Sequence, residues 1–163
     1  MNETYSALMR QNSMKNISVL ILNLIFSACA KGDCFDDAAS WQGVHPGVLR
    51  AISLRENARC DATVHINRNG TVDIGCMQIN SIHLPELANY GISARELMDS
   101  CINIFVGAHH YKKMVLKYGN TWKAVGAYHS ETPERRDAYA KSVEAIFRRL
   151  QTDQKPGELK RRH

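Results

Sequence analysis

The sequence has few of the residues that mark repetitive or metal-binding chains. Its 163 residues include only 4 prolines and 10 glycines, which excludes a collagen-like or low-complexity chain. No Cys-x-x-Cys pair and no His-x-x-x-His spacing occurs, so the pattern disfavours a zinc site. Internal repeats are absent as well. The 44% of hydrophobic residues nevertheless supply enough apolar material for the core of one globular domain.

A concentrated basic region is also missing. The net charge of +5 divides into +1 over residues 1–30, +2 over residues 151–163 and +2 over everything between them. Proteins that bind DNA or RNA carry clustered basic residues, so this distribution argues against a nucleic-acid partner. A mild attraction to anionic polymers, including cell-wall glycan strands, is compatible with it.

The first 30 residues have the layout of a secretory signal peptide. The apolar run 17–30 follows Arg10 and Lys15 and ends in three small residues, 28–30. This run is shorter than the roughly 20 residues that a membrane-spanning helix needs. The sequence therefore predicts removal of residues 1–30, export to the periplasm and no stable membrane insertion afterwards.

Three alternatives for this segment stay open. Translation begins at Met1 or at Met14, since residues 14–16 by themselves form a compact positive start. A lipid on Cys29 is a second alternative, although Phe26 is a poor residue three places before a lipidated cysteine. A buried N-terminal helix is the third.

Removal of the signal peptide takes Cys29 with it and leaves four cysteines. An even number in a chain bound for an oxidising compartment predicts two disulfide bonds. Cys60 and Cys76 bracket a loop rich in turn residues, and Cys34 lies near the mature N-terminus, opposite a predicted helix that carries Cys101. Of the three pairings that four cysteines allow, we favour Cys34–Cys101 and Cys60–Cys76.

Helix caps and apolar spacing predict a mainly α domain over residues 31–152. The exception is a small β-hairpin, in which Asn69-Gly70 joins residues 64–66 to residues 71–72. Residues 153–163 lack apolar periodicity and are predicted to form a basic mobile tail. Helices are predicted at about 36–42 and 46–57, from the Ser93–Glu96 capping box to Tyr118, after Thr121, and from Pro133 to about 152.

Glu56 is the carboxylate with the most unusual position. Val48, Ile52 and Glu56 are spaced i, i+4, i+8, so the carboxyl falls on the face that its helix buries. Burial disfavours the charged form and raises the pKa, which keeps a carboxylic acid protonated as a general acid near neutral pH. The alternative is that Glu56 reaches water or pairs with Arg55 or Arg59 at the helix end.

Three segments in order resemble the lysozyme-like lytic transglycosylases. They are LRAISLRE at 49–56, DIGCMQIN at 73–80 and AVGAY at 124–128, and the match covers residues 33–150. More narrowly, they are similar to the small exported enzymes that accompany type III and type IV secretion, conjugation and pilus systems. The resemblance implies a goose-type lysozyme-like (SLT-like) single domain, peptidoglycan glycan strands and a secretion or conjugation apparatus as partners, and no cofactor or metal.

The resemblance also implies a mechanism in which Glu56 is the single catalytic acid. Its carboxyl protonates the oxygen of the MurNAc-β-1,4-GlcNAc bond and then accepts the proton of the muramic 6-hydroxyl as that group attacks C1. The product is a 1,6-anhydro sugar, and no water is consumed. One carboxyl that alternates between acid and base needs no second carboxylate, unlike the usual glycosidase pair.

Further site residues follow from the same resemblance. The family's Gly-Leu-Met-Gln segment corresponds to residues 75–78, where Met77 packs on the sugar and Gln78 binds its N-acetyl group. Tyr128 matches a tyrosine that holds the catalytic carboxyl by a hydrogen bond, and Asn80 is a further sugar contact. On the residues alone, each of these is equally a packed side chain or an ordinary turn residue.

The sequence departs from the family pattern around this site. Asn57 stands where the family has serine, Cys60-Asp61 where it has Asn-Pro, and His129 where it has asparagine. With His129 beside the cleft, we expect activity to change between about pH 5 and 8, where imidazole gains a proton, and a flat rate there would contradict this. The paired change to Cys60 and Cys76 indicates an added disulfide bracing the substrate loop.

Two other functions remain as alternatives. A hydrolytic muramidase would need a second carboxylate, for which Asp61 and Asp73 are the candidates. A glycan-binding adaptor that no longer cuts would not need a buried acid, so retention of Glu56 and Tyr128 weighs against it.

Overall fold

The computed structural model of the protein describes residues 33–153. The predicted signal peptide and all of the predicted tail except Asp153 lie outside the described residues. Six α-helices and one small sheet make up this region, with a 3-10 turn at Ser81–His83 and another at Glu96–Met98. The elements are α1 (Cys34–Gln42), α2 (Pro46–Glu56), β1 (Val64–Ile66), β2 (Val72–Ile74), β3 (Ile79–Asn80), α3 (Leu84–Ala88), α4 (Ser100–Tyr118), α5 (Trp122–His129) and α6 (Pro133–Asp153).

The first two helices form where their end signals predict. Gly43 ends α1 with a φ of 61°, a left-handed conformation that glycine adopts without strain. Pro46 occupies the first turn of α2, and the preceding His45 accepts a hydrogen bond from the Gly47 amide at 3.0 Å. The helix ends at Glu56, which places this carboxyl at the junction between α2 and the irregular segment that follows.

The predicted hairpin is present, and the structure adds a third strand. The sheet order is β1-β2-β3, and both pairs are antiparallel. The register places His65 opposite Asp73 and Asp73 opposite Asn80, so these polar residues share one face of the sheet. The other face carries the buried Ile74 and Ile79. Two residues are too few to show strand alternation, and β3 was therefore not predicted.

The long helix expected after the Ser93–Glu96 capping box is interrupted. The Glu96 carboxylate does accept the Ser93 amide at 3.0 Å, but only the short turn Glu96–Met98 follows. Asp99 then adopts an extended conformation and caps α4 by accepting the Ile102 amide at 2.9 Å. Because an aspartate satisfies free amides at a helix start, a second helix begins there instead of continuing the first.

The core lies between α2, α4, α5 and α6 and the inner face of the sheet. Close approach of α5 to α6 depends on Gly126, where an added Cβ would lie 2.3 Å from the Arg136 carbonyl oxygen. No helix among residues 33–153 is both long and apolar enough to cross a membrane. The largest fully buried side chains include Leu49, Ile52, Ile74, Met77, Leu97, Asn103, Tyr111 and Val143.

Both favoured disulfide bonds are present. Cys34 in α1 is joined to Cys101 in α4, and Cys60 is joined to Cys76 across the segment that contains β1 and β2. The first bond ties the start of the described chain to α4 in the core. The second ties the residues after Glu56 to the turn after β2.

Candidate active site

Glu56 lies at the centre of the candidate site, at the end of α2. Its partly buried carboxyl follows the buried residues Val48 and Ile52 along the same helix face. Burial raises the pKa of Glu56 above its usual value, while a hydrogen bond from Tyr139 and the positive charges of His129 and Arg55 lower it. Burial is the largest of these effects, and the carboxyl is therefore held closer to its protonated form than an exposed glutamate.

The hydroxyl that donates to Glu56 belongs to Tyr139 of α6, not to Tyr128. The resemblance assigned this contact to Tyr128, whose hydroxyl instead donates to the Met77 carbonyl at 2.8 Å. Tyr139 is 4% exposed, and burial together with the negative charge of Glu56 raises its pKa. A neutral, buried phenol is a fixed donor, so Tyr139 orients the carboxyl.

The structure brings His129 to the site through Tyr139. The two rings stack almost in parallel, with centroids 4.9 Å apart and an interplanar angle of 5°. The guanidinium carbon of Arg55 lies 5.7 Å from the Tyr139 ring centroid. The imidazole is exposed to solvent.

The turn after β2 buries the Met77 side chain and leaves the Gln78 side chain partly exposed. Met77 is 0% exposed and packs against Gly107, where an added Cβ would lie 2.8 Å from the Met77 side chain. It therefore has no surface to offer a sugar in this structure, contrary to the role that the resemblance gave it. The partly exposed Gln78 has a φ of 49°, and its amide donates to the Gly75 carbonyl at 2.8 Å.

A buried asparagine fixes this turn from below. Asn103 in α4 accepts the Met77 amide at 2.7 Å and donates to the carbonyl oxygens of Ile74 and Leu97 at 2.9 and 2.8 Å. It is 0% exposed. Because unpaired backbone groups are costly inside a protein, one side chain here replaces the hydrogen bonds that a regular element would supply.

Asn80 lies on the polar face of the sheet and is tied to Asp73. Its amide donates to the Asp73 carboxylate at 2.6 Å, and Asn67 donates to the other oxygen of the same carboxylate at 2.9 Å. The negative charge of Asp73 contributes to raising the pKa of Glu56. Asp73 is thus a hydrogen-bonded carboxylate that acts electrostatically on Glu56.

Asp61 is engaged in a separate network. It accepts hydrogen bonds from the Thr63 hydroxyl, from the Asn57 amide at 2.9 Å and from Arg59 at 2.8 Å. These donors, led by Thr63, hold the pKa of Asp61 well below its usual range. Asp61 therefore shapes the segment between Glu56 and the Cys60–Cys76 disulfide. Within the described residues, no group of three or more histidine, cysteine, aspartate or glutamate side chains is arranged to hold a metal ion.

Comparison with known families agrees with the mainly helical domain described above. The model of the transglycosylase SLT domain family matches residues 33–148, a stretch that contains every residue described at the site. The chain belongs to the transglycosylase SLT family. The mainly α, lysozyme-like fold expected from the resemblance is confirmed, and the general class is that of lytic transglycosylases acting on peptidoglycan.

The alignments between this SLT domain protein and its relatives span most of both chains. Invasion protein IagB of Salmonella typhimurium is 36% identical over 137 residues, which is 81% of this chain and 86% of that protein. X polypeptide of Escherichia coli is 38% identical over 135 residues, or 78% and 80% of the two chains. Protein IpgF of Shigella flexneri is 32% identical over 133 residues, or 80% and 88%.

Two residues of the SLT site were missed by sequence reasoning. Tyr139 is spaced i, i+4 with Val143 along the last helix, but its contact with Glu56 joins positions 83 residues apart. The available signal was a tyrosine among aliphatic residues on a buried face, since a buried phenol needs a hydrogen-bond partner. Asn103 carried a similar signal, as a polar residue between Cys101 and Ile104 on an apolar helix.

Proposed function

We propose that the protein is a peptidoglycan lytic transglycosylase that cleaves the MurNAc-β-1,4-GlcNAc bond and leaves 1,6-anhydroMurNAc ends. The observation that carries this proposal is the single carboxyl of Glu56, partly buried, raised in pKa and oriented by Tyr139. In its protonated form it is suited to donate to the glycosidic oxygen. In its charged form it is suited to accept the proton of the muramic 6-hydroxyl.

Roles for the other site residues are part of the same proposal. Gln78 and Asn80 border the turn and the polar sheet face, where amide groups suit the N-acetyl and hydroxyl groups of the sugar. Met77 and Tyr128 act beneath the surface, because their hydrogen bond holds the turn that carries Gln78. His129 supports the Tyr139 ring by stacking.

We further propose that the protein is exported to the periplasm and opens the wall locally for a secretion or conjugation apparatus. The layout of residues 1–30 supports export. One relative bears the name invasion protein, which fits a function at the cell envelope.

A hydrolytic muramidase is the second candidate function. The position of the Asp73 carboxylate near Glu56 is the observation that favours it. Its carboxylate is close enough to Glu56 to raise the pKa of that group, and it is held in place by two amides. A carboxylate so placed is able to stabilise an oxocarbenium-like transition state or to activate water.

Mass spectrometry of released fragments tests these proposals. The oxidised protein, residues 31–163, is incubated with purified peptidoglycan, and Glu56→Gln is run alongside. Fragments that end in 1,6-anhydromuramic acid, absent with the variant, are the expected result. Hydrated reducing ends would instead identify a muramidase, and Asp73→Asn would then be tested. A folded protein that binds peptidoglycan but releases no fragment would be a glycan-binding adaptor.

A further inference from the structure

Thr71 lies at the centre of a hydrogen-bond network on the polar face of the sheet. It is the residue that follows the Asn69-Gly70 turn. Its hydroxyl donates to the side-chain oxygen of Asn69 at 2.8 Å. The same hydroxyl accepts from the side-chain amides of Asn67 at 3.1 Å and Asn80 at 3.2 Å. Thr71, Asn67 and Asn80 are half-buried, so these hydrogen bonds are partly shielded from water.

The direction of these hydrogen bonds follows from one group that can only donate. The backbone amide of Thr71 donates to Oδ1 of Asn69 at 3.1 Å, which fixes that atom as the oxygen of the side chain. The Thr71 hydroxyl lies 2.8 Å from the same oxygen and therefore directs its one proton there. Because only the two lone pairs of the hydroxyl remain, the other side chains that contact it must present N–H groups.

Asp73 accepts the other N–H of each of these amides. Asn67 donates to one carboxylate oxygen at 2.9 Å, and Asn80 donates to the other at 2.6 Å. Asn80 is also oriented by Ile82, whose backbone amide donates to its side-chain oxygen at 3.0 Å. Within residues 33–153 the side-chain oxygen of Asn67 accepts no hydrogen bond. Asn67 therefore depends on Thr71 for its orientation.

The network holds Asp73 without cancelling its charge. Its side-chain donors are neutral amides, and among residues 33–153 no lysine, arginine or histidine nitrogen lies within 4.0 Å of the Asp73 carboxylate. The end of β2 lies against the end of α2, where Asn57 donates to the Gly75 carbonyl at 3.5 Å. An uncompensated carboxylate is therefore fixed near Glu56, and it adds to the effect of burial in raising the pKa of that group.

We propose that Thr71 is a positioning residue of the active site, whose hydroxyl orients the Asn67 amide and thereby fixes the Asp73 carboxylate near Glu56. The inference rests on the proposed function only for its effect on cleavage, since the network forms without substrate. When the hydroxyl is removed, the Asn67 side chain can turn so that its carbonyl oxygen replaces its amide. Two oxygens that carry negative charge then meet, and the Asp73 carboxylate is no longer held in one place.

Thr71→Val and Thr71→Ser test the role of the hydroxyl. Valine has nearly the shape of threonine without the hydroxyl, and serine keeps it. The backbone amide of residue 71 still donates to Asn69 in both variants, so the turn keeps that hydrogen bond. In Thr71→Val we expect the alkaline limb of kcat/KM against pH to move to lower pH, because the effect of Asp73 on Glu56 weakens. Thr71→Ser is expected to leave the limb in place.

Ser81→Ala is the matched control. The Ser81 hydroxyl accepts the Val72 amide at 3.0 Å, so this variant also removes a hydroxyl that is bound to β2. It leaves Thr71 and both amides unchanged and is expected not to move the limb. A limb that moves equally in Ser81→Ala and Thr71→Val would show a general loosening of the sheet and overturn the inference.

A double variant tests whether Thr71 acts through Asn67. Asn67→Ala is expected to move the limb in the same direction as Thr71→Val, and it provides the test if Thr71→Val does not fold. Thr71→Val/Asn67→Ala is expected to move the limb no further than Asn67→Ala alone, because both changes act on one contact with Asp73. Shifts that add in the double variant overturn the inference.

An NMR titration of the Glu56 carboxyl carbon separates this inference from the cleavage chemistry. It needs no substrate, so it applies equally to a transglycosylase, a muramidase or a protein that does not cut. A lower pKa of Glu56 in Thr71→Val than in wild type and Thr71→Ser supports the inference, and the shift should not exceed that of Asp73→Asn. An unchanged pKa of Glu56 in Thr71→Val, or the same shift in Thr71→Ser, overturns it, whatever the products of cleavage are.

Discussion

The carboxyl of Glu56 is subject to opposing effects. Burial raises its pKa, and the Tyr139 hydroxyl, His129 and Arg55 lower it. A group whose pKa is raised on folding costs stability once it is charged. The same burial that suits Glu56 to proton transfer therefore makes it a destabilising residue near neutral pH.

Glu56→Gln is expected to unfold at a higher temperature than wild type at pH 7. Below the unfolded-state pKa of about 4.5 both states are protonated, and no penalty exists. As pH rises, the unfolded chain releases its proton first and the folded state loses stability, so the difference between the proteins grows. Melting temperatures at pH 3.5 and pH 7 measure this.

The exposed Glu134→Gln serves as the control. Its free energy of unfolding is expected to change by about a few tenths of a kcal/mol, the size of a helix-dipole contribution. Activity of Glu56→Gln should fall by about 10²- to 10⁴-fold. A Glu56→Gln protein less stable than wild type at pH 7 would contradict the burial argument.

Tyr139→Phe is expected to move the alkaline limb of the pH–rate profile to higher pH. The hydrogen bond from Tyr139 lowers the pKa of Glu56, and its removal leaves the raising effect of burial less opposed. Profiles of kcat/KM against pH measure the shift, with Tyr128→Phe as the matched comparison. That change leaves the Met77 carbonyl unpaired and costs about 1–3 kcal/mol of stability without moving the limb. If Tyr128→Phe moved the alkaline limb and Tyr139→Phe did not, Tyr128 would be the residue that orients the Glu56 carboxyl.

At the scale of elements, the turn after β2 is held by covalent and polar links together. The Cys60–Cys76 disulfide connects it to the segment after α2, and Asn103 connects it to α4. The Cys34–Cys101 disulfide lies between α1 and α4. The two bonds therefore have different consequences for the site and for the fold.

Cys60→Ser/Cys76→Ser is expected to lower kcat/KM more than Cys34→Ser/Cys101→Ser does. Cys34→Ser/Cys101→Ser is expected to lower the free energy of unfolding more than Cys60→Ser/Cys76→Ser does. Chain entropy gives about 3 kcal/mol for the separation of 16 residues and about 4 kcal/mol for that of 67. Urea unfolding and kcat/KM of both variants measure the contrast. Equal fractional losses of activity in the two variants would show that the first disulfide does not brace the site.

The elements that could be predicted are those with local signals. Pro46, Thr121 and Pro133 mark helix starts, and Asn69-Gly70 marks the hairpin, because each residue type satisfies a backbone requirement at its own position. The break at Asp99 was missed although an aspartate that accepts a free amide is a local signal, and β3 was missed because two residues are too few to show strand alternation. Tyr139 was missed as a partner of Glu56 because the contact follows from how α2 and α6 lie together.

At the scale of the whole molecule, the partly buried imidazole of His110 couples stability to pH. His110 in α4 lies 3.1 Å from the Tyr128 carbonyl through Nε2, and its ring lies 5.0 Å from the rings of His83 and Tyr128. Burial lowers the pKa of His110 to about 4, with further lowering from His83, Lys113 and His109. The folded state therefore resists protonation that the unfolded chain accepts.

Wild-type protein is expected to lose up to about 3 kcal/mol of stability through His110 as pH falls from about 6.5 to 4. Between these values the unfolded chain binds a proton that the folded protein does not. His110→Gln keeps a donor for the Tyr128 carbonyl without a titrating group, so its stability should vary less over this range. Urea unfolding at a series of pH values measures both proteins, with the exposed His65→Gln as control. Identical pH dependence in wild type and His110→Gln would contradict this account.

The hydrogen bonds of Asn103 have a consequence for how the molecule moves. Backbone amides in turns ordinarily exchange their protons quickly, because small local openings expose them. The Met77 amide is instead bound to the buried side chain of Asn103 in α4, so we expect it to exchange only when α4 separates from the turn. We therefore expect the backbone beneath Gln78 to move together with α4, and the amides at the exposed hairpin tip near Gly70 to exchange faster than the Met77 amide.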